Sequence, residues 1–116
     1  MEQVRIGSSL LGDGCPVHIV AEIGGNFTNF KQARRLIDLA IEAVFEDVLV
    51  KKNVFRALDA ALKPEAILAT NTSSFYVHEL ASATGRPGQV VGLHYFFHPA
   101  KNRLLEVIPG PLTRPD

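Results

Sequence analysis

Val17, Ile19, Ala21 and Ile23 alternate with His18, Val20 and Glu22, a period of two that predicts a strand with one apolar face. Val4 to Ile6 reads as a short strand before it. Gly12-Asp13-Gly14 reads as a turn, because glycine tolerates positive φ and Asp accepts local backbone bonds. Gly24-Gly25-Asn26 closes the longer strand. The spacing then changes. Phe30, Ala33, Ile37, Ala40, Ile41 and Val44 recur at helical intervals, with Lys31, Arg34, Arg35 and Asp38 elsewhere on the wheel. Asn29 followed by Gln32 resembles a capping pair at the start of that helix. The pattern predicts a helix through about Ile41, with Ala43 to Phe45 as a short connection or remnant strand.

Asp47 is placed to cap a second helix, whose apolar stripe is Val50, Val54, Phe55, Leu58, Ala61 and Leu62. Pro64 ends it or starts the next turn. Ala66-Ile67-Leu68-Ala69-Thr70 reads as a buried strand and Asn71-Thr72-Ser73-Ser74 as a polar loop. Val77 to Thr84 suits a short helix, terminated by Gly85 and Pro87. Gln89 to Leu93 and Arg103 to Ile108 are further strands, and Pro109, Pro111 and Pro115 make the tail irregular. Strands alternating with helices predict an α/β fold with a largely parallel sheet. In such sheets, sites lie beyond the carboxyl ends of the strands. Asn71 to Ser74 and His94 both fall there.

Composition narrows the function classes. Across 116 residues, twelve basic side chains balance twelve acidic ones, so no broad positive field exists to hold nucleic acid or an anionic membrane. No apolar run approaches the roughly 20 residues needed to span a bilayer. MEQVRIGSS lacks the apolar core of a secretory signal. Cys15 is the single cysteine, which excludes an internal disulfide and a cysteine metal cluster. These features suggest a cytoplasmic setting and no metal site.

The chemistry-bearing residues gather in the second half: Glu46, the Asn71 to Ser74 loop, His94 after VVGL, and Glu106 inside LLEVI. A neutral imidazole can accept a proton, a carboxylate can hold its other ring nitrogen, and a serine hydroxyl can bond a substrate oxygen. Such a set suits removal of an alcohol proton as a hydride leaves the same carbon. A plainer reading fits the spacing as well: His94 as a polar strand-end residue, and Glu106 as a solvent-facing strand residue. His18 and His78 read as surface or boundary residues.

The succession IEAVFED, ATNTSS, GLHYF and LLEVI, from Ile41 to Gly110, resembles the NAD-binding domain of 3-hydroxyacyl-CoA dehydrogenases, in its later half. The resemblance implies a partial Rossmann sheet and oxidation of a 3-hydroxyacyl-CoA to the 3-ketoacyl-CoA with NAD. It implies His94 as catalytic base, Glu106 as the carboxylate that orients it, and Ser73 as the contact to the substrate oxygen. Glu46 and Lys51 match positions lining the nicotinamide cofactor, with Ala43 and Asn71 beside it. One departure is local. The family commonly reads His-Phe-Phe-Asn-Pro, and this chain reads His94-Tyr95-Phe96-Phe97-His98-Pro99; His98 either replaces the amide or fills a loop. The family's G-x-G-x-x-G turn, which cradles pyrophosphate, has no match in GSSLLGDG or AEIGGN, and its helical C-terminal domain has none either. These absences imply weak or absent NAD binding and little turnover by this chain alone.

IGSSLLGDGCPVHIVAEIGGNFTNFKQARRLIDLAIEA resembles the opening of N-acetylneuraminate (sialic acid) synthases, a hairpin followed by the first βα unit of a (β/α)8 barrel. In that family Glu22 would sit in the active site with Asn26 close by. A barrel needs roughly 200 or more residues, so synthase activity is not expected. The resulting expectation is one domain over residues 1–116. Residues 1–43 would be synthase-like, 44–110 a dehydrogenase-like Rossmann half, and 111–116 an irregular tail. The fold would be α/β, three-layer-like and mostly parallel, with an N-terminal hairpin and a βα unit of TIM-barrel type. IDLAIEA would be the seam of a chimera. The functional alternatives are a non-enzymatic chimeric or designed fold and a synthase-like fragment. An acyl-CoA is the expected substrate partner, and an exposed sheet edge invites pairing of copies.

Overall fold

Ala40, Leu68 and Val90 sit side by side across three parallel strands and mark the centre of the core. The computed structural model describes residues 4–6, 9–11, 34–35, 37–98 and 100–115, and the statements below concern these. The strands are β1 (Val4–Ile6), β2 (Ser9–Leu11), β3 (Leu39–Glu42), β4 (Ile67–Thr70), β5 (Val90–Tyr95) and β6 (Leu105–Pro109). The helices are α1 (Val48–Ala61) and α2 (Val77–Ala81), with a 3-10 turn at Pro87–Gln89. β1 and β2 pair antiparallel, giving the expected N-terminal hairpin. The other strands form one sheet in the order β3-β4-β5-β6, parallel except for β6. The βα unit read over Val17 to Ala33, Cys15 and His18 lie outside the described residues.

Leu39–Glu42 is a strand, where helical spacing predicted a helix through Ile41. Residues 34 and 35 are helical, so that helix ends sooner than expected. The run IDLAIEA satisfies both periods: Leu39 and Ile41 face one way while Ala40 and Glu42 are buried on the other. Pairing decides between them. β3 lies in register with β4 from Leu39↔Ile67 to Glu42↔Thr70. Ile67 N donates to Asp38 O at 2.8 Å and Asn71 N to Glu42 O at 2.8 Å, which extends the ladder at both ends. The centre of IDLAIEA, Leu39–Glu42, is therefore a sheet strand rather than the end of a helix.

Asp47 caps α1 as expected, its Oδ1 accepting from Leu49 N at 2.8 Å and Val50 N at 3.0 Å. The stripe is rotated from the predicted one. Lys51, Phe55 and Leu58 are the buried residues of α1, with Leu62 just beyond it. Arg86 closes the other end, donating to Asp59 O at 2.7 Å, a last-turn carbonyl that the helix leaves without an intrahelical partner, and to Lys63 O just beyond the helix. α2 stops at Ala81 rather than Thr84. There Ser82 Oγ and Thr84 Oγ1 donate to Glu79 O at 2.7 Å and Ala81 O at 3.0 Å, a side-chain alternative to continued helix. The tail is irregular but tied down: Thr113 Oγ1 donates to Val90 O at 2.6 Å and Arg114 N to Gly88 O at 2.8 Å.

α1 and α2 cover the sheet face that carries Ala40, Leu68 and Val90. On the opposite face Leu39, Ile41, Ile67, Tyr95, Leu105 and Val107 are exposed. Gly92 lies on the covered face, where an added Cβ would meet Ile108 Cβ at 3.0 Å, Ile108 O at 3.3 Å and Val77 Cγ2 at 3.3 Å. Gly92→Ala is expected to cost about 1–3 kcal/mol by overpacking, read as a lower urea midpoint. An unchanged midpoint would show that α2 and β6 can separate freely.

Candidate active site

The carboxyl ends of β3, β4 and β5 bring the sequence-predicted residues together. His94 lies within β5, one residue before its end, rather than after the strand. Glu106 lies on β6 directly opposite, as a registered His94↔Glu106 pair. Residues opposite one another on antiparallel strands share a face, and His94 Nδ1 is 2.9 Å from Glu106 Oε2. Ser73, on the loop after β4, places Oγ 3.0 Å from His94 Nε2. An ionised Glu106 only accepts, so the bond to it needs the proton on Nδ1; Nε2 then carries a lone pair and the Ser73 hydroxyl donates to it. The Phe96 ring lies 4.8 Å from the imidazole, tilted at 53°.

The loop that carries Ser73 is held by its own threonines. Thr70 Oγ1 accepts from Thr72 N at 3.2 Å, and Thr72 Oγ1 accepts from Ser74 N at 3.3 Å and Phe75 N at 3.1 Å. Asn71 joins the strand ends, its Oδ1 accepting from Tyr95 N at 2.9 Å. Glu46 reaches the same loop from beyond β3. Its Oε1 accepts from Thr72 Oγ1, Ser73 N (3.2 Å) and Ser74 N (3.2 Å), and its Oε2 is 3.1 Å from Lys51 Nζ. Ala43, between β3 and Glu46, is exposed.

Behind Glu46 lies a group that the sequence reading missed. Glu42 is 2% exposed and Lys51 1%, and Lys51 Nζ donates to Glu42 Oε1 at 2.8 Å. Thr70 Oγ1 donates to Glu42 Oε2 at 2.7 Å and Val44 N to Oε1 at 2.7 Å. Two features point to this pair once β3 is known to be a strand. Glu42 shares the strand face of Ala40, and Lys51 stands one helical turn before the core residue Phe55. Lys51 is thus enclosed by protein, where the resemblance had it lining the cofactor. His98 is exposed and sets its ring edge-on to Phe97 at 5.3 Å. His78 is exposed as expected, stacked 5.4 Å from Tyr76.

Two carboxyls on this framework lie below their usual range. Burial acts to raise that of Glu46, and the Thr72 hydroxyl, the Lys51 ammonium and the Ser73 amide together outweigh it. That of Asp59 is lowered by the Gly85 amide, against burial, with help from Arg86. A carboxyl depressed in the folded state contributes stability above its unfolded pKa, and the contribution is lost as pH falls through the folded value. The urea midpoint should therefore hold steady above about pH 5 and decline below it. Glu46→Gln and Asp59→Asn should each flatten the decline. A midpoint that rises on acidification would contradict this.

Residues 16–116 match the family model described as the NAD-binding domain of 3-hydroxyacyl-CoA dehydrogenase. This chain belongs to that family. The peroxisomal bifunctional enzyme of Homo sapiens is 52% identical over 79 residues, 68% of this chain and 11% of that protein. A 3-hydroxybutyryl-CoA dehydrogenase of Clostridioides difficile is 48% identical over 86 residues, 74% of this chain and 30% of that protein. Among solved structures, the 3-hydroxybutyryl-CoA dehydrogenase of Escherichia coli superposes with a TM-score of 0.66 at 37% identity, over 77% of this chain and 19% of that one. The (S)-3-hydroxybutyryl-CoA dehydrogenase of Ralstonia eutropha gives 0.69 at 29% identity, over 77% and 31%. The chain thus spans less than a third of the relatives it matches.

Membership corrects one reading made from the sequence. The dehydrogenase-family match already begins at residue 16, so it takes in most of the stretch read as synthase-like, and the sialic acid synthase resemblance and the chimera gain no support. Glu22 and Asn26 lie outside the described residues. No helix among the described residues is long and apolar enough to cross a membrane.

Proposed function

We propose that this chain carries the proton-handling side of a site that oxidises a 3-hydroxyacyl-CoA to the 3-ketoacyl-CoA, with NAD. The observation that carries the reading is the line Ser73 Oγ, His94, Glu106, with contacts of 3.0 and 2.9 Å. His94 Nε2 takes the proton of the substrate hydroxyl as that carbon gives up a hydride and its C–O bond becomes a carbonyl. Ser73 Oγ–H, freed from Nε2, donates to the substrate oxygen. Glu106 stabilises the imidazolium through Nδ1. NAD, when bound, supplies the acceptor for the hydride.

The residues at the strand ends fit such a cofactor in part. Ala43 and Glu46 are exposed beyond β3, and Asn71 is half-buried beyond β4, so these are the residues that would line the nicotinamide. Lys51 does not fit a direct contact, because its ammonium is taken by Glu42, Glu46 and Val44 O. No glycine-rich pyrophosphate turn is legible in the sequence, so NADH binding by this chain is expected to be weaker than micromolar, measured by the fluorescence of a titrated NADH solution. Micromolar affinity would show that a cradle exists which the glycine pattern does not reveal. Acetoacetyl-CoA reduction followed through NADH absorbance tests the activity. Turnover that survives His94→Ala would refute the reading.

We place the described residues from Ile37 to Pro115 in one folding unit, with an acyl-CoA as substrate. Within the main sheet β3 and β6 each have one strand neighbour among the described residues. Outer strands with open backbone groups favour pairing. We expect the average mass in sedimentation to rise with concentration, and a concentration-independent monomer would count against that association.

A further inference from the structure

Lys51 stands in the first turn of α1, where the aligned peptide dipoles disfavour a positive charge. That turn holds no acidic residue of its own. Yet the ammonium is buried, and its three protons have three acceptors: Glu42 Oε1 at 2.8 Å, Val44 O at 3.3 Å and Glu46 Oε2 at 3.1 Å. Glu42 in turn accepts from Lys51, Val44 N and the Thr70 hydroxyl. A buried ion pair is weak evidence of a purely stabilising role, since apolar residues of similar volume often serve as well. The direction of the chain of contacts is more informative. From Glu42 it passes through Lys51 to Glu46, and Glu46 Oε1 gathers the Thr72 hydroxyl and the amides of Ser73 and Ser74. The Ser73 hydroxyl then touches His94 Nε2.

We infer that Glu42 is a positioning residue: through Lys51 it holds the Glu46 carboxylate on the Ser73 and Ser74 amides, and so sets where the Ser73 hydroxyl meets His94. The inference rests on the proposed reading only in calling Ser73 and His94 the reacting pair. It also gives Lys51 a task that needs no contact with a cofactor. Glu46 can stay partly exposed at the rim of the site and still be fixed, because the charge opposite it cannot swing away. The groups that face Glu46 are Lys51, Thr72 and the Ser73 and Ser74 amides, with Glu42 behind Lys51.

The test is NMR on the full chain, reading the Ser73 and Ser74 amide protons and the titration of the Glu46 carboxyl carbon. Glu42→Gln combined with Lys51→Met removes both buried charges together. In that variant the Glu46 midpoint should rise, as expected when a cation that close is lost. The two amide protons should move upfield as their acceptor drifts. A folded double variant with the wild-type midpoint and amide shifts overturns the inference. Glu42→Asp is the second variant, keeping the charge but drawing the ammonium back by one methylene. It should move the same amides, and unmoved amides overturn the inference equally. No readout here uses NAD or substrate. Turnover that survives His94→Ala would therefore sink the functional reading and leave this one standing.

Discussion

Lys51→Met should cost about 3–5 kcal/mol of folding stability, the loss expected when one partner of a buried pair is removed and the other charge is stranded. Native domains have only about 5–15 kcal/mol to lose, so the variant should unfold at far lower urea than the parent. The size of the effect follows from burial. The side chain of Glu42 is fully enclosed and that of Lys51 nearly so, and neither can turn to water without opening the junction of β3 and α1. Adding Glu42→Gln should restore much of the loss, because an amide is far cheaper to bury than a carboxylate without a cation. Glu46 contributes less to this balance, since its side chain is 39% exposed and water screens its share. A Lys51→Met midpoint close to the parent's would show that water or a neighbouring cation reaches Glu42. Two single losses that simply add in the double variant would show that the charges do not act as a pair.

The same pair explains where the sequence is legible and where it misleads. Asp47, the run Ala66 to Thr70 and the run ending in VVGL are read correctly because local chemistry and tertiary demand agree there. An Asp before a helix caps it, and unbroken apolar runs suit strands of a parallel sheet. IDLAIEA is misread because its apolar spacing serves a helix and a strand alike, and the pairing with β4 that chooses between them comes from residues far along the chain. That one misreading hides Glu42, whose burial is visible only once Leu39–Glu42 is a strand. Lys51 is singled out by resemblance as a cofactor-lining residue and not as a core residue, because a charged side chain at a stripe position reads as solvated unless its partner is known. The His94–Glu106 contact depends on register. A twelve-residue separation has no meaning until an antiparallel return places the two opposite one another. Resemblance supplies that geometry and spacing alone does not.

Wherever this chain supports 3-hydroxyacyl-CoA oxidation, alone or joined to further segments, His94→Gln should lower kcat by about 10²–10⁴, the range typical of a lost general base. KM should change little, because the imidazole acts on a proton in flight rather than on the acyl-CoA as a whole. The side chain is partly exposed at a strand end, so the fold should survive and the loss be read on folded protein. Glu106→Gln should cost less and for a different reason. An amide can present its NH2 to Nδ1, which allows the tautomer that carries the proton on Nε2, and that tautomer cannot accept one from substrate. The decisive measurement is the double variant. If Glu106 works only through the imidazole, then once His94 is gone its replacement has nothing left to disturb, and His94→Gln with Glu106→Gln should be no slower than His94→Gln alone. Losses that multiply instead would mean that Glu106 touches substrate or cofactor directly. In that case the 2.9 Å contact between the two strands would be incidental to the chemistry.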